Sequence, residues 1–181
     1  ENGRFYTLSG DKLPRGRGFG EPLSLMLDIP ADASIIAIMR GGIGKMLVAS
    51  NAGHGMIVDM QSAIAQTRSG KQVLNLGAGG KAVICVPAQG DMVAVVGQNR
   101  RLLVFALSEL PEMTRGKGVI LQRYQNGELA DIKVFESEVG LIWQMGGGRT
   151  RTETDLLTWT GKRGSAGKLP PTGFPRPARF T

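Results

Sequence analysis

The chain has 181 residues, with 22 Lys and Arg against 15 Asp and Glu, a formal net charge of +7 and 27 glycines. A single Cys and a single His leave no material for a disulfide framework, a Cys-rich metal site or a His-based centre. No apolar run reaches the roughly 18–20 residues of a membrane span, and 41% apolar residues suffice for a core.

In chain order, Asn2-Gly3 predicts a turn and Arg4–Leu8 a short strand. Ser9–Pro14 collapses to a turn before a Gly-rich basic loop at Arg15 and Arg17-Gly18-Phe19-Gly20. Leu23–Leu27 and Ile35–Met39 read as a strand pair joined through Pro30.

A second unit repeats the order. Met46–Ala49, the turn Asn51-Ala52-Gly53 and Gly55–Val58 form a hairpin, followed by a locally helical Met60–Gln66 and the loop Arg68-Ser69-Gly70-Lys71. Val73–Leu76 and Ala82–Val86 complete it.

The third unit runs through Met92–Val96, a tip at Gln98-Asn99-Arg100-Arg101, a strand over Arg101–Phe105, a helical Ser108–Met113 and the loop Arg115-Gly116-Lys117-Gly118. Val119–Arg123 and Leu129–Phe135 then flank Asn126-Gly127, a strong short-range hairpin signal. A fourth unit offers Val139–Trp143, Gly146-Gly147-Gly148, Arg149–Thr152, Thr154–Thr160 and a loop from Arg163 to Lys168. It breaks off at Leu169-Pro170-Pro171, because proline supplies no ladder N–H.

The loops begin at Arg17, Arg68, Arg115 and Arg163, at intervals of 51, 47 and 48 residues. About four strands in roughly 48 residues is the size of a propeller-type blade. The expectation is an all-β chain of three to four blades in an open or broken arc. Its repeats span approximately 1–40, 41–88, 89–136 and a partial 137–172, and 173–181 forms an extended, basic, Pro-containing tail.

A Gly-rich loop lets backbone N–H groups approach phosphate, and Arg and Lys add charge. Arg15, Arg17, Arg68, Lys71, Arg115, Lys117, Arg163 and Lys168 are therefore candidate DNA contacts, with Arg100 and Arg101 at a hairpin tip and Arg123 beside the third loop. Several cations have a second reading as solvated turns or as charges that block edge pairing, as at Arg149 and Arg151. No element resembles a base-reading helix, so sequence preference should be low.

Nothing points to catalysis. Gly77-Ala78-Gly79-Gly80-Lys81 fails the phosphate-loop template, no Ser, His and Asp cluster, and Tyr6 and Tyr124 lie in strand-like segments. His54 reads as a turn residue, Cys85 and the methionines as core, and Trp143 and Trp159 as anchors of the last blade.

The repeat with its Arg-Gly-Lys-Gly loop resembles the C-terminal DNA-binding domains of bacterial type IIA topoisomerase A subunits. Arg17-Gly18-Phe19-Gly20-Glu21-Pro22-Leu23 and Leu169-Pro170-Pro171-Thr172-Gly173-Phe174-Pro175-Arg176 look most like the topoisomerase IV branch. The resemblance implies a β-pinwheel whose blades exchange strands and whose basic rim binds and bends duplex DNA. It further implies a fragment without catalytic residues or cofactor of its own, in a parent that uses ATP and Mg²⁺. The implied partners are duplex DNA, chromosome-organising proteins, the rest of the A subunit, and the ATPase B subunit; the implied setting is the cytoplasm, at the nucleoid. Thr114-Arg115-Gly116-Lys117-Gly118 and Thr67-Arg68-Ser69-Gly70-Lys71 are degenerate versions of the family's basic wrapping box, which favours DNA capture over full wrapping. The alternative is a propeller-like protein–protein interaction module of the regulator-of-chromosome-condensation type.

Overall fold

The computed structural model describes all residues except 14, 15, 17 and 18. The strands are β1 (Arg4–Phe5), β2 (Lys45–Ser50), β3 (His54–Asp59), β4 (Lys71–Gln72), β5 (Ala82–Pro87), β6 (Met92–Gly97), β7 (Leu102–Ala106), β8 (Val119–Ile120), β9 (Leu129–Phe135), β10 (Leu141–Gln144) and β11 (Thr150–Glu153). The helical elements are one α-turn at Leu23–Met26 and 3-10 turns at Gly10–Lys12, Leu107–Glu109 and Gly146–Gly148.

Two full sheets dominate, one ordered β5-β2-β3-β8 and the other β7-β6-β9, with the two-stranded pairs β1-β4 and β10-β11 at either end. Every named ladder is antiparallel. The hairpins β2-β3, β6-β7 and β10-β11 stand where the sequence puts them.

The strands after each basic loop pair differently from the expectation. Val119–Ile120 does not form a hairpin with Leu129–Phe135 around Asn126-Gly127; β8 joins β3 of the preceding blade, while β9 returns to β6 of its own. Likewise β4 pairs with β1 of the first copy and β5 with β2. The connections after the second and third loops therefore each span two blades, which is the strand exchange of a β-pinwheel.

Alternation along the strands explains why the blades stack. Met46 and Val48 point into one cluster with Met56, Val58, Val73 and Leu74, while Leu47 and Ala49 point into another with Val93, Val95, Leu103 and Phe105. On β6 the next set, Ala94 and Val96, faces Leu141, Trp143, Phe174 and Phe180. Both faces of a central sheet are buried, so these strands read as continuous apolar runs.

The first copy departs from the expectation. Leu23–Met26 is a helical turn and Ile35–Met39 forms no strand. In the later blades the corresponding strands, β5 and β9, pair with the first strand of a hairpin. Among the described residues no such strand stands beside Ile35–Met39, so its backbone joins no ladder there, and Ile38 is 83% exposed. The expected helical inserts are also shorter: Met60–Gln66 forms turns, and Ser108–Met113 is only overlapped at its start by the 3-10 turn Leu107–Glu109.

The segment 173–181 has no regular secondary structure, yet it is anchored. Phe174, Ala178 and Phe180 are buried, Phe180 N donates to Asp131 Oδ2 at 2.8 Å, and Gln144 N donates to Phe180 O at 3.0 Å. It covers the face of the last hairpin that a further sheet covers elsewhere.

Candidate nucleic-acid interface

Three basic loops are built alike. Each packs against the outgoing strand of the preceding copy so closely that a glycine of positive φ is required. A Cβ on Gly118 (φ +76) would collide with Gly55 O, and one on Gly167 (φ +76) would meet Leu102 O at 2.6 Å. In the second loop, Gly70 sits against Phe5 O in the same way.

Backbone pairing fixes each loop to the segment that follows the previous loop. Asp28 N donates to Arg68 O at 3.0 Å; Gly116 N donates to Val73 O at 3.0 Å and Asn75 N to Gly116 O at 2.7 Å. In the fourth copy, Gly164 N donates to Leu121 O at 2.8 Å and Arg123 N to Ser165 O at 3.2 Å. Each loop thereby lies against the segment that follows the loop of the preceding copy.

The candidate side chains divide. Arg15 and Arg17 lie outside the described residues. Lys71 is exposed and donates to Ser62 O at 2.5 Å. Lys117, Arg101, Arg123 and Lys168 are exposed, Lys168 with its backbone paired to Leu102. Arg68 reaches Leu25 O at 2.7 Å and Asp28 Oδ1 at 3.6 Å, and Arg115 Nε donates to Asn75 Oδ1 at 3.3 Å. Arg163 is half-buried and donates through Nε to Glu109 O at 3.1 Å and through Nη1 to Ile120 O at 2.5 Å.

Arg100 turns away from the rest. It takes the left-handed conformation (φ 59) at its hairpin tip, and its guanidinium donates to Pro175 O at 3.0 Å and Phe174 O at 3.4 Å, fastening the C-terminal segment.

Other residues of these joints were not singled out by sequence. Arg4 donates to Ser69 O at 2.9 Å and Gly70 O at 3.1 Å, clasping the second loop from the first copy. Gln122, 1% exposed, donates through Nε2 to both Arg101 O and Ala166 O at 2.9 Å. Neither lies in a basic Gly-rich loop, so only a pairing of blades reveals them. Arg151 lies over the Trp143 ring at 5.5 Å and donates to Thr172 O at 2.8 Å, which ties this edge cation to the last blade.

Electrostatically, burial disfavours the His54 imidazolium and the Lys117 ammonium adds repulsion, so the His54 pKa lies below its ordinary value. Burial pushes the Cys85 thiol up to about 11, which keeps it protonated. Among the described residues no group of three or more His, Cys, Asp or Glu comes together, and no helix is long and apolar enough to cross a membrane.

Exchanged strands, antiparallel blades and one basic loop per joint define a β-pinwheel of the kind found at the C-terminus of type IIA topoisomerase A subunits. The family described as "DNA gyrase C-terminal domain, beta-propeller" matches residues 91–135, the blade of β6 to β9. Over 99% of its length the chain is 44% identical to the A subunit of DNA topoisomerase 4 from Caulobacter vibrioides and 43% identical to that from Rickettsia bellii, covering 24% of each. The chain thus spans about a quarter of the length of these curated relatives. The structure of the E. coli ParC C-terminal domain superposes with a TM-score of 0.81 at 28% identity, covering 94% of this chain and 74% of that one. The chain belongs with the topoisomerase IV members of the gyrase A C-terminal domain family.

Proposed function

We propose that the chain is the DNA-binding part of a topoisomerase IV A subunit, capturing and bending duplex DNA along its basic blade edges in support of decatenation and supercoil relaxation. The observation that carries this reading is the recurrence of one cationic, glycine-docked loop at each successive blade joint. An array of cations along an edge answers the spacing of phosphates, and a chain of +7 charge is drawn to a polyanion. Exposed Lys71, Arg101, Lys117, Arg123 and Lys168 are the cations best placed to meet phosphate. The chemistry of strand passage, with ATP, Mg²⁺, any chromosome-organising partner and the ATPase B subunit, belongs in this reading to the rest of the holoenzyme at the nucleoid.

A fluorescence titration against duplex DNA at several salt concentrations tests it. With roughly four to eight phosphate contacts, log K should fall steeply with log salt, and Lys117→Gln should reduce the slope by about 0.9. A slope near zero for the unsubstituted chain would leave the protein–protein interaction module as the reading. An unchanged slope in Lys117→Gln would remove that residue from the interface.

A further inference from the structure

The basic loops carry two kinds of cation, and the hydrogen bonds separate them. At three joints the arginine of the loop turns toward the preceding copy. Arg68 reaches Leu25 O, Arg115 reaches Asn75 Oδ1, and Arg163 reaches Ile120 O and Glu109 O. Leu25, Asn75 and Ile120 all lie in the segment that follows the previous loop, so the contact recurs in place three times. It falls at a backbone carbonyl for Arg68 and Arg163 and at a side-chain oxygen for Arg115, with Arg68 and Arg115 otherwise exposed. A guanidinium suits this work, because its planar fork can hold several acceptors at once, whereas a lysine offers a point charge on a flexible stem. The lysines do not share the pattern: Lys71 bonds within its own copy at Ser62 O, and Lys117 is exposed.

We infer that Arg68, Arg115 and Arg163 act as inter-blade staples. They are positioning residues that hold one blade to the next and so set the curvature of the basic edge, while the exposed lysines supply most of the charge that meets a polyanion. The backbone supports this division. The arginines lie within or beside the loop-to-segment pairs Asp28–Arg68, Val73–Gly116–Asn75 and Leu121–Gly164, so each side chain reinforces a joint the main chain already makes. Two further contacts close the same joints from the other side: Arg4 on Ser69 O and Gly70 O, and Gln122 on Ala166 O. Arg163 is the most engaged of the three, and its own backbone N–H donates to Glu109 Oε2 at 3.0 Å.

The consequence for DNA rests on the proposed function, but the staple itself is read in the free protein. In Arg163→Lys the charge stays and the fork is lost. The amides of Gly164 and Arg123, which close this joint, should then exchange with solvent about tenfold faster, while amides of β2 and β3 keep their protection. In the complex, energy transfer between dyes on the two duplex ends should fall, reporting a flatter path, with the salt slope unchanged. Glu109→Gln supplies a second variant that keeps Arg163 and makes the chain more cationic. It should loosen the same amides, whereas a rim acting by charge alone would bind DNA more tightly with those amides undisturbed. Unchanged exchange in both variants would overturn the inference, as would a slope that drops by about 0.9 in Arg163→Gln with exchange unaltered. If the unsubstituted chain does not bind duplex at all, the functional proposal falls while the exchange measurement still decides the staple.

Discussion

His54 is a titratable group whose charge state responds to one of the candidate cations, Lys117. Its pKa is lowered first by burial and then by Lys117, so the folded state favours the neutral ring. The stability linked to it is present above the ordinary value of 6.5 and is lost as pH falls through the lower folded value. As the single histidine of the chain, it gives one imidazole resonance to follow by NMR. That resonance should titrate below 6.5, and Lys117→Gln should move the midpoint upward by removing the repulsion. A midpoint that stays in place would mean that Lys117 does not act on it. Sequence reading treats His54 as a turn residue, and it sits in fact at the start of β3 opposite Ile120. Its proximity to Lys117 was not legible, because β8 reaches β3 from a different repeat.

At the scale of elements, hairpins were legible and the pairing of the strands between them was not. Asn51-Ala52-Gly53 and Gln98-Asn99 carry local turn chemistry, and the apolar runs beside them are short and β-branched, so β2-β3 and β6-β7 are fixed locally. Asn126-Gly127 carries the same local signal but joins strands of two different sheets, since β8 gains an edge on β3 and β9 gains one on β6. Local chemistry specifies a turn, but which edge is available is decided elsewhere in the molecule. The C-terminal segment shows the same limit. Its prolines and arginines read as an extended tail, while Phe174 and Phe180 pack edge-on at 5.5 Å and Phe174 meets Trp143 at 5.4 Å. Phe180 is 1% exposed, so Phe180→Ala should cost about 3–5 kcal/mol and release the segment. The checks are a lower midpoint in urea and faster tryptic cleavage after Arg179. An unchanged midpoint would mean that this segment does not contribute to the core.

At the scale of the whole molecule, the clusters lie between blades rather than within them, so each blade depends on its neighbours. Among the described residues, the first copy leaves several apolar side chains uncovered. Ile35, Ile36 and Ile38 are exposed around a groove of about 460 Å³ lined also by Phe5, Leu8, Leu27 and Ile84. Exposed apolar surface on this scale binds hydrophobic dyes. Ile38→Lys should therefore reduce dye fluorescence while shifting stability by no more than about 0.5 kcal/mol, because the side chain is 83% exposed. A loss of several kcal/mol would show that Ile38 is packed in solution.

The sequence by itself determined the repeat, the all-β character, the turns and the periodic basic loops, because these depend on residues adjacent along the chain. It also placed a cation in every loop. Tertiary structure decided which strands exchange between blades, that Arg100 fastens the C-terminal segment, and that the loop arginines grip the neighbouring copy. The physical reason is the acceptor. An arginine's charge is written in the sequence, but whether it meets a carbonyl or solvent depends on which backbone edge another repeat brings within about 3 Å of it.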